Sequence, residues 1–190
     1  MSGEKKLKPM SDLSFKFMVW AFKLTDIFFR QRRHLKKIPL RQGMVVIDYG
    51  CGPGRYTIPV AEIVDTKGKV FAIDIQPLAI KTIKEKAARK SLTNIEAVLV
   101  DSFNTGIQGS SADIVLLIDA IHSISDHDVL LREIHRILKP NGLLFMDPEH
   151  MKISKAREIV DSTGLFTLTE QRGRDMLLTK KLKSELRKEG

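Results

Sequence analysis

The sequence predicts an α/β protein built on a parallel sheet, and three observations carry that reading. Strand-like apolar segments beginning near Met44, Lys69, Ile95, Asp113 and Leu143 alternate with helical ones, as successive βαβ units require. The first four each end in an aspartate: Asp48, Asp74, Asp101 and Asp119. The first runs straight into a loop with glycine at positions 50, 52 and 54. Glycine at that density lets a ligand approach the main chain closely.

Taken in order, the chain opens on an amphipathic helix, Leu13 to Phe29. Leu13, Phe17, Trp20, Leu24 and Ile27 recur at helical spacing. Phe15, Met18, Phe22 and Phe29 form an adjoining apolar band, and Lys16, Lys23 and Arg30 share the opposite face. The basic run RQRRHLKK follows. Three roles suit such a segment: packing over the sheet or in a homodimer interface, a lid over a substrate pocket, or an anchor on an anionic membrane surface. Its charges make it unsuitable as a membrane span.

Val45, Val46 and Ile47 then predict a buried strand, and a helix is expected from about Arg55 to Asp65. The next strand is KVFAID, Lys69 to Asp74. Pro77 suits the first turn of the following helix, where its missing N–H is no loss; Ile80, Ile83 and Ala87 make that helix's inner face. NIEAVLVD and ADIVLLID, residues 94–101 and 112–119, are the third and fourth strands. A helix over Ser125 to Leu138 has Ser125 and Asp128 in the pattern of a capping box ahead of Leu130, Ile134, Ile137 and Leu138. Asn141-Gly142 marks a turn before the fifth strand. A helix over Lys152 to Ser162 leads to two last strands, Leu165 to Thr169 and Asp175 to Lys180. The organisation expected is an N-terminal basic segment over 1–41, one α/β domain over 42–180 and a charged, solvated tail over 181–190.

The loop after the first strand, VVIDYGCGPGRYT, narrows the ligand. A dinucleotide fingerprint is G-x-G-x-x-G; here the third glycine comes one residue early, and Arg55 stands where that fingerprint needs glycine. The phosphate loop G-x-x-x-x-G-K-[ST] is absent. A tight turn in some other α/β protein remains the alternative on the loop alone. Asp74, 24 residues after Gly50, lies near the spacing at which an acid reaches ribose hydroxyls, and a carboxylate, all acceptor, suits a diol with two donors.

D-x-G-C-G-x-G resembles the first motif of the class I S-adenosylmethionine-dependent methyltransferases. The order from the first strand to LKPNGLLF, positions 44 to 147, is similar to the small "type 11" members related to quinone-biosynthesis methyltransferases. The resemblance implies a Rossmann-like, seven-stranded, mostly parallel sheet with helices on both faces and an antiparallel last strand. It implies S-adenosylmethionine as cofactor, held by Asp48, Gly50, Cys51, Gly52, Gly54, Asp74, Ile75, Asp101, Ser102 and Asp119. Asp74 would take the ribose and Asp101 the adenine amine.

A methyl donor of this kind demands in-line attack, so much of the rate comes from holding nucleophile and methyl in register. A carbon or hydroxyl acceptor also needs a base. The candidates follow the fourth and fifth strands: Asp119 and His122, then Asp147, Glu149 and His150. His122 resembles a histidine that family members often use for packing; His150 departs from the family pattern. His34, His127 and His135 fall on segments read as surface.

Net charge is +9. Residues 1–41 carry +8 and residues 152–190 +4, whereas 42–151 carry −3. Such asymmetry suits an anionic partner, a membrane surface or RNA, or serves solubility alone. The single cysteine, Cys51, excludes an intramolecular disulfide and fits a reducing cytoplasm. The expectation is a cytoplasmic enzyme, peripheral at a membrane if the first helix is an anchor. No signal peptide, internal repeat or Cys/His metal spacing is evident, so no metal is expected. The N/D-P-P-Y/F motif of many nucleobase amino-methyltransferases is replaced by Asp119-Ala120-Ile121-His122. The acceptor expected is therefore a small or lipid-like molecule, with an RNA methyltransferase or a non-catalytic cofactor-binding protein as alternatives.

Overall fold

The computed structural model describes residues 7–24 and 27–182; side chains at 18, 21–24, 27–30 and 32 are outside that description. So is all but the start of the expected tail, residues 183–190.

The N-terminal segment is described as helix over α1 (Asp12–Leu24) and α2 (Ile27–Lys37); residues 25–26, which fall within the expected Leu13–Phe29 helix, lie outside the described residues. The second carries the basic run, whose Arg, Gln and Lys residues are good helix formers. Then follow β1 (Val45–Tyr49), α3 (Thr57–Val64), β2 (Lys69–Asp74), α4 (Pro77–Arg89), β3 (Ile95–Leu99), β4 (Ala112–Ile118), α5 (His127–Ile137), β5 (Leu138–Asp147), α6 (Ile153–Thr163), β6 (Phe166–Arg172) and β7 (Asp175–Lys180). The strands form one seven-stranded sheet in the order β3-β2-β1-β4-β5-β7-β6. The pairs β1–β4, β2–β3 and β4–β5 are parallel, whereas β7 runs antiparallel to both its neighbours. The antiparallel last strand is thus as the resemblance implies.

Contacts divide the chain into two compact units: residues up to 44 with Cys51–Ser102, and Val45–Gly50 with Phe103 onward. In the first, Cys51, Ala72 and Ile83 form an apolar cluster against Ile95 and Ala97. Pro77 opens α4 as expected, and Ile80, Ile83 and Ala87 are buried. Phe15 is buried, yet Leu13, Phe17 and Trp20 are 80%, 66% and 56% exposed. Both bands read as apolar from the sequence; Phe15 lies about half a turn from Leu13 and Phe17, and among the described side chains of these bands it is the one covered. His34, read as surface, is buried with its Nδ1 2.7 Å from the Tyr56 hydroxyl.

In the second unit, β4 is a continuous apolar run buried almost throughout, as a strand covered on both faces must be. The capping box is not formed. Asp126, not Ser125, is the residue before α5, and no side chain caps it; Asp128 pairs with Arg132 at 2.7 Å. The Asn141-Gly142 turn is absorbed into β5 as an irregularity. Ala112 pairs with Leu138 and Ile114 with Leu143, so the residues between bulge out of the ladder. Gly164, left-handed at φ 65°, closes α6.

Candidate active site

In the first unit the glycine loop is built around Asp74. The Gly52 N–H donates to Asp74 Oδ2 at 2.8 Å and the Gln76 N–H to Oδ1 at 2.8 Å. The Ile75 N–H adds a third backbone bond to this carboxylate, whose roughly four acceptor positions are still not all filled. Burial pushes the Asp74 carboxyl above its ordinary value, and these backbone N–H bonds pull back only part of that shift. The Cys51 N–H donates to the Ile73 carbonyl at 3.0 Å, and the Gly54 N–H to the Cys51 carbonyl at 3.0 Å. Cys51 itself is a buried free thiol.

Two glycines are demanded here for different reasons. At Gly52 the backbone is left-handed, φ +50°, and a Cβ would meet nothing within 4 Å. The loop thus opens on free space at that point. At Gly54 a Cβ would stand 2.9 Å from Ile83 Cγ1, so that glycine lets the loop lie against α4. The other cofactor candidates of this unit follow β2 and β3. Ile75 is half-buried, Asp101 is exposed and Ser102 buried. Asp101 stands two residues past β3 rather than within it. Its carbonyl accepts the Leu7 N–H at 2.8 Å, and Gln76 Nε2 donates to the Met10 carbonyl at 3.1 Å. The chain ahead of α1 is therefore tied to the loops after both strands, a contact that sequence spacing does not show.

In the second unit, Asp48 is buried at the end of β1, and a Cβ on Gly50 would meet Ala120 Cβ at 2.7 Å. The ends of β4 and β5 gather three polar side chains. Asp119, just past β4, has a left-handed backbone, φ 55°, that few non-glycine residues adopt. Its N–H donates to the Asp147 carbonyl at 2.9 Å. Its Oδ1 is 2.6 Å from His150 Nδ1 and 3.5 Å from His122 Nδ1. The two imidazole rings are 4.9 Å apart. Exposure rises from Asp119 (17%) to His122 (35%) and His150 (61%). The short 3₁₀ turn Ile121–Ser123 buries Ile121 and leaves His122 partly exposed, its ring against that of His150. The loop carrying His150 is pinned from β7's side by Arg174. Its Nη2 donates to the carbonyls of Pro148, Glu149 and Met151 at 2.5, 2.8 and 2.6 Å.

Asp147 is not a group that reaches an acceptor. It is fully buried, 3.7 Å from Arg174 Nε. Glu149 is half-buried. His127 and His135 are tied to backbone carbonyls, of Ile121 at 3.2 Å and Lys181 at 2.9 Å. Arg174 was not singled out from the sequence, and a lone arginine in a hairpin carries no signal that could have found it. Nor does spacing bring residues 119, 122 and 150 together. They meet because Ile118 and Asp147 are register partners on adjacent parallel strands.

Comparison with known proteins agrees with this architecture. The sequence profile of the family described as "Methyltransferase domain" matches residues 40–187. A demethylmenaquinone methyltransferase of Staphylococcus aureus is 32% identical over 114 residues, 60% of this chain and 46% of that protein. The chain spans about half the length of the curated relatives it matches. A SAM-dependent methyltransferase of Aquifex aeolicus shares the fold at a TM-score of 0.73, with 22% identity over 90% of this chain and 97% of that one. Coclaurine N-methyltransferase, solved with N-methylheliamine and SAH, gives a TM-score of 0.56 at 27% identity, over 63% of this chain and 34% of that one. The chain belongs to the methyltransferase-domain family, with the fold of the class I S-adenosylmethionine-dependent methyltransferases.

Proposed function

We propose that the protein transfers a methyl group from S-adenosylmethionine to a small hydroxylated aromatic acceptor of quinone type. The observation that carries the cofactor half is Asp74, fixed by the Gly52 and Gln76 N–H groups beside a glycine with open space where a side chain would stand. The residues fit the cofactor: Asp74 for the ribose diol, the Gly52 backbone for close approach, the exposed Asp101 for the adenine amine. Bound there, S-adenosylmethionine supplies an activated methyl; the chain's own contribution is to orient acceptor and donor and to exclude water.

The acceptor half rests on similarity to the demethylmenaquinone methyltransferase and on chemistry. A ring carbon or oxygen of such an acceptor becomes nucleophilic when a ring hydroxyl is ionised. Asp119, His122 and His150 form a solvent-reaching polar cluster available for that step. The exposed Leu13, Phe17 and Trp20 and the +8 charge of residues 1–41 support work at an anionic membrane surface, where lipid-like acceptors reside. Among the described residues no helix is long and apolar enough to cross a membrane.

The test is calorimetry with S-adenosylmethionine and its demethylated product, followed by methyl-transfer assays on a panel of hydroxylated aromatics. Preferential binding of NAD would overturn the cofactor assignment. Salt-sensitive binding to generic RNA, with methylation of RNA and of no small molecule, would replace the acceptor class.

A further inference from the structure

Asp119, His122 and His150 each offer one ligand atom, and these atoms all lie within 4.8 Å of one another. Both imidazoles present Nδ1 to the same carboxylate oxygen, at 2.6 and 3.5 Å. A hydrogen-bonded acid–base pair needs one imidazole; here a second converges on it with no hydrogen bond to Asp119. Ligand atoms held at 2.0–2.2 Å from a tetrahedral ion stand about 3.3–3.6 Å apart; the His122 separation of 3.5 Å falls in that range and the His150 separation of 2.6 Å is shorter. Moving the His150 imidazole, 61% exposed, outward by about 1 Å would let an ion take the place of the hydrogen bond. The backbone is already arranged for it. Asp119 keeps an unfavourable left-handed conformation, and Arg174 clamps the loop of His150 through three carbonyls.

We infer that these three side chains bind a divalent transition-metal ion. Two imidazoles and one carboxylate suit zinc, cobalt, manganese or iron; magnesium and calcium prefer oxygen ligands throughout. Three protein ligands leave coordination positions open, and the exposed side of the cluster is where a ligand from solution enters. Resting on the acceptor class proposed above, the open position takes the acceptor's hydroxyl oxygen. The cation lowers that hydroxyl's pKa so that its proton leaves to solvent and the oxygen stays on the metal as phenolate.

Cobalt(II) added to the chelator-treated protein tests this directly. The expected result is one equivalent bound, read from its visible absorption and displaced by zinc. His122→Ala and His150→Ala should each weaken binding at least tenfold, and the double variant should abolish it. Zinc should raise the melting temperature of the parent protein and not that of the double variant. No binding below millimolar, or binding that survives the double substitution, overturns the site. S-adenosylmethionine affinity is measured on the same samples. Cofactor bound without metal sinks the metal site alone; metal bound without cofactor sinks the methyltransferase reading alone.

Discussion

The Gly52 N–H and Asp74 Oδ2 are 2.8 Å apart, so the residue expected to hold the cofactor's ribose also shapes the glycine loop beside it. Asp74→Ala removes the acceptor for two ribose hydroxyls and frees a loop N–H. Loss of charge-assisted hydrogen bonds of this kind costs about 1.5–3 kcal/mol. Calorimetry should therefore show S-adenosylmethionine binding weakened by roughly ten- to a hundredfold. Wild-type affinity in this variant would remove Asp74 from the ribose.

Acidification should act on the same group. Burial raises the Asp74 carboxyl above its ordinary value of 3.8, and only the ionised form accepts from both hydroxyls. For an acid with a raised folded pKa, the charge is lost as pH falls, and lost earlier than in an ordinary aspartate. Cofactor affinity should start to fall at a pH above the usual aspartate range, and Asp74→Asn should flatten the profile. A fall of the same size and midpoint in Asp74→Asn would assign the pH dependence to another group.

Glu133 should stabilise the second unit. Its Oε1 accepts from the Thr105 N–H at 3.1 Å, the Thr105 hydroxyl at 2.6 Å and Arg136 Nη2 at 2.8 Å. Burial works to raise its pKa, but the bonds from Arg136 and Thr105 outweigh burial and leave it below the ordinary 4.5. A depressed folded pKa contributes stability that is present above the unfolded value and lost as pH falls through the folded one. Glu133→Gln should cost about 1–3 kcal/mol at neutral pH by leaving donors poorly matched. Its deficit in denaturant midpoint should shrink below pH 4.5; a deficit constant with pH would show that packing alone was lost.

Arg174 is a positioning residue for His150. Arg174→Ala unpins the carbonyls of Pro148, Glu149 and Met151 and leaves the buried Asp147 without the guanidinium 3.7 Å away. Turnover should fall at least tenfold, with S-adenosylmethionine affinity changed less than threefold. Arg174→Lys cannot reach three carbonyls with one planar group, so it should rescue folding more than turnover. Equal loss of cofactor affinity and turnover would mean a general collapse rather than a loosened loop.

Trp20 is the chain's only tryptophan and is 56% exposed beside Phe17, with ring centroids 5.8 Å apart. If α1 meets a membrane, anionic vesicles should shift its emission to the blue and neutral vesicles should not. An unchanged spectrum with both would leave the exposed face without a membrane role. Gel filtration would then decide whether a second copy covers it.

Alternation of apolar runs and helical segments was enough for the fold class, because each strand of a parallel sheet must be followed by a crossover. Glycine spacing was enough to point at the cofactor loop, because the left-handed backbone at Gly52 favours glycine and the contact of Gly54 with Ile83 leaves no room for a Cβ. Both are local properties, readable over a few residues. Periodicity also found two apolar faces on the first helix, but which of them is covered depends on what packs there, and Phe15 rather than Trp20 turned out to be inside. His34 went the same way: a basic, helical neighbourhood reads as surface, yet a partner hydroxyl on Tyr56 makes its burial tolerable. The cluster of Asp119, His122 and His150 was legible as three separate candidates and not as a group. Their meeting depends on β4 and β5 lying side by side in parallel register, on a left-handed turn at Asp119, and on an arginine from β7's hairpin that holds the third residue in place. Those are long-range consequences of the sheet, which no spacing along the chain encodes.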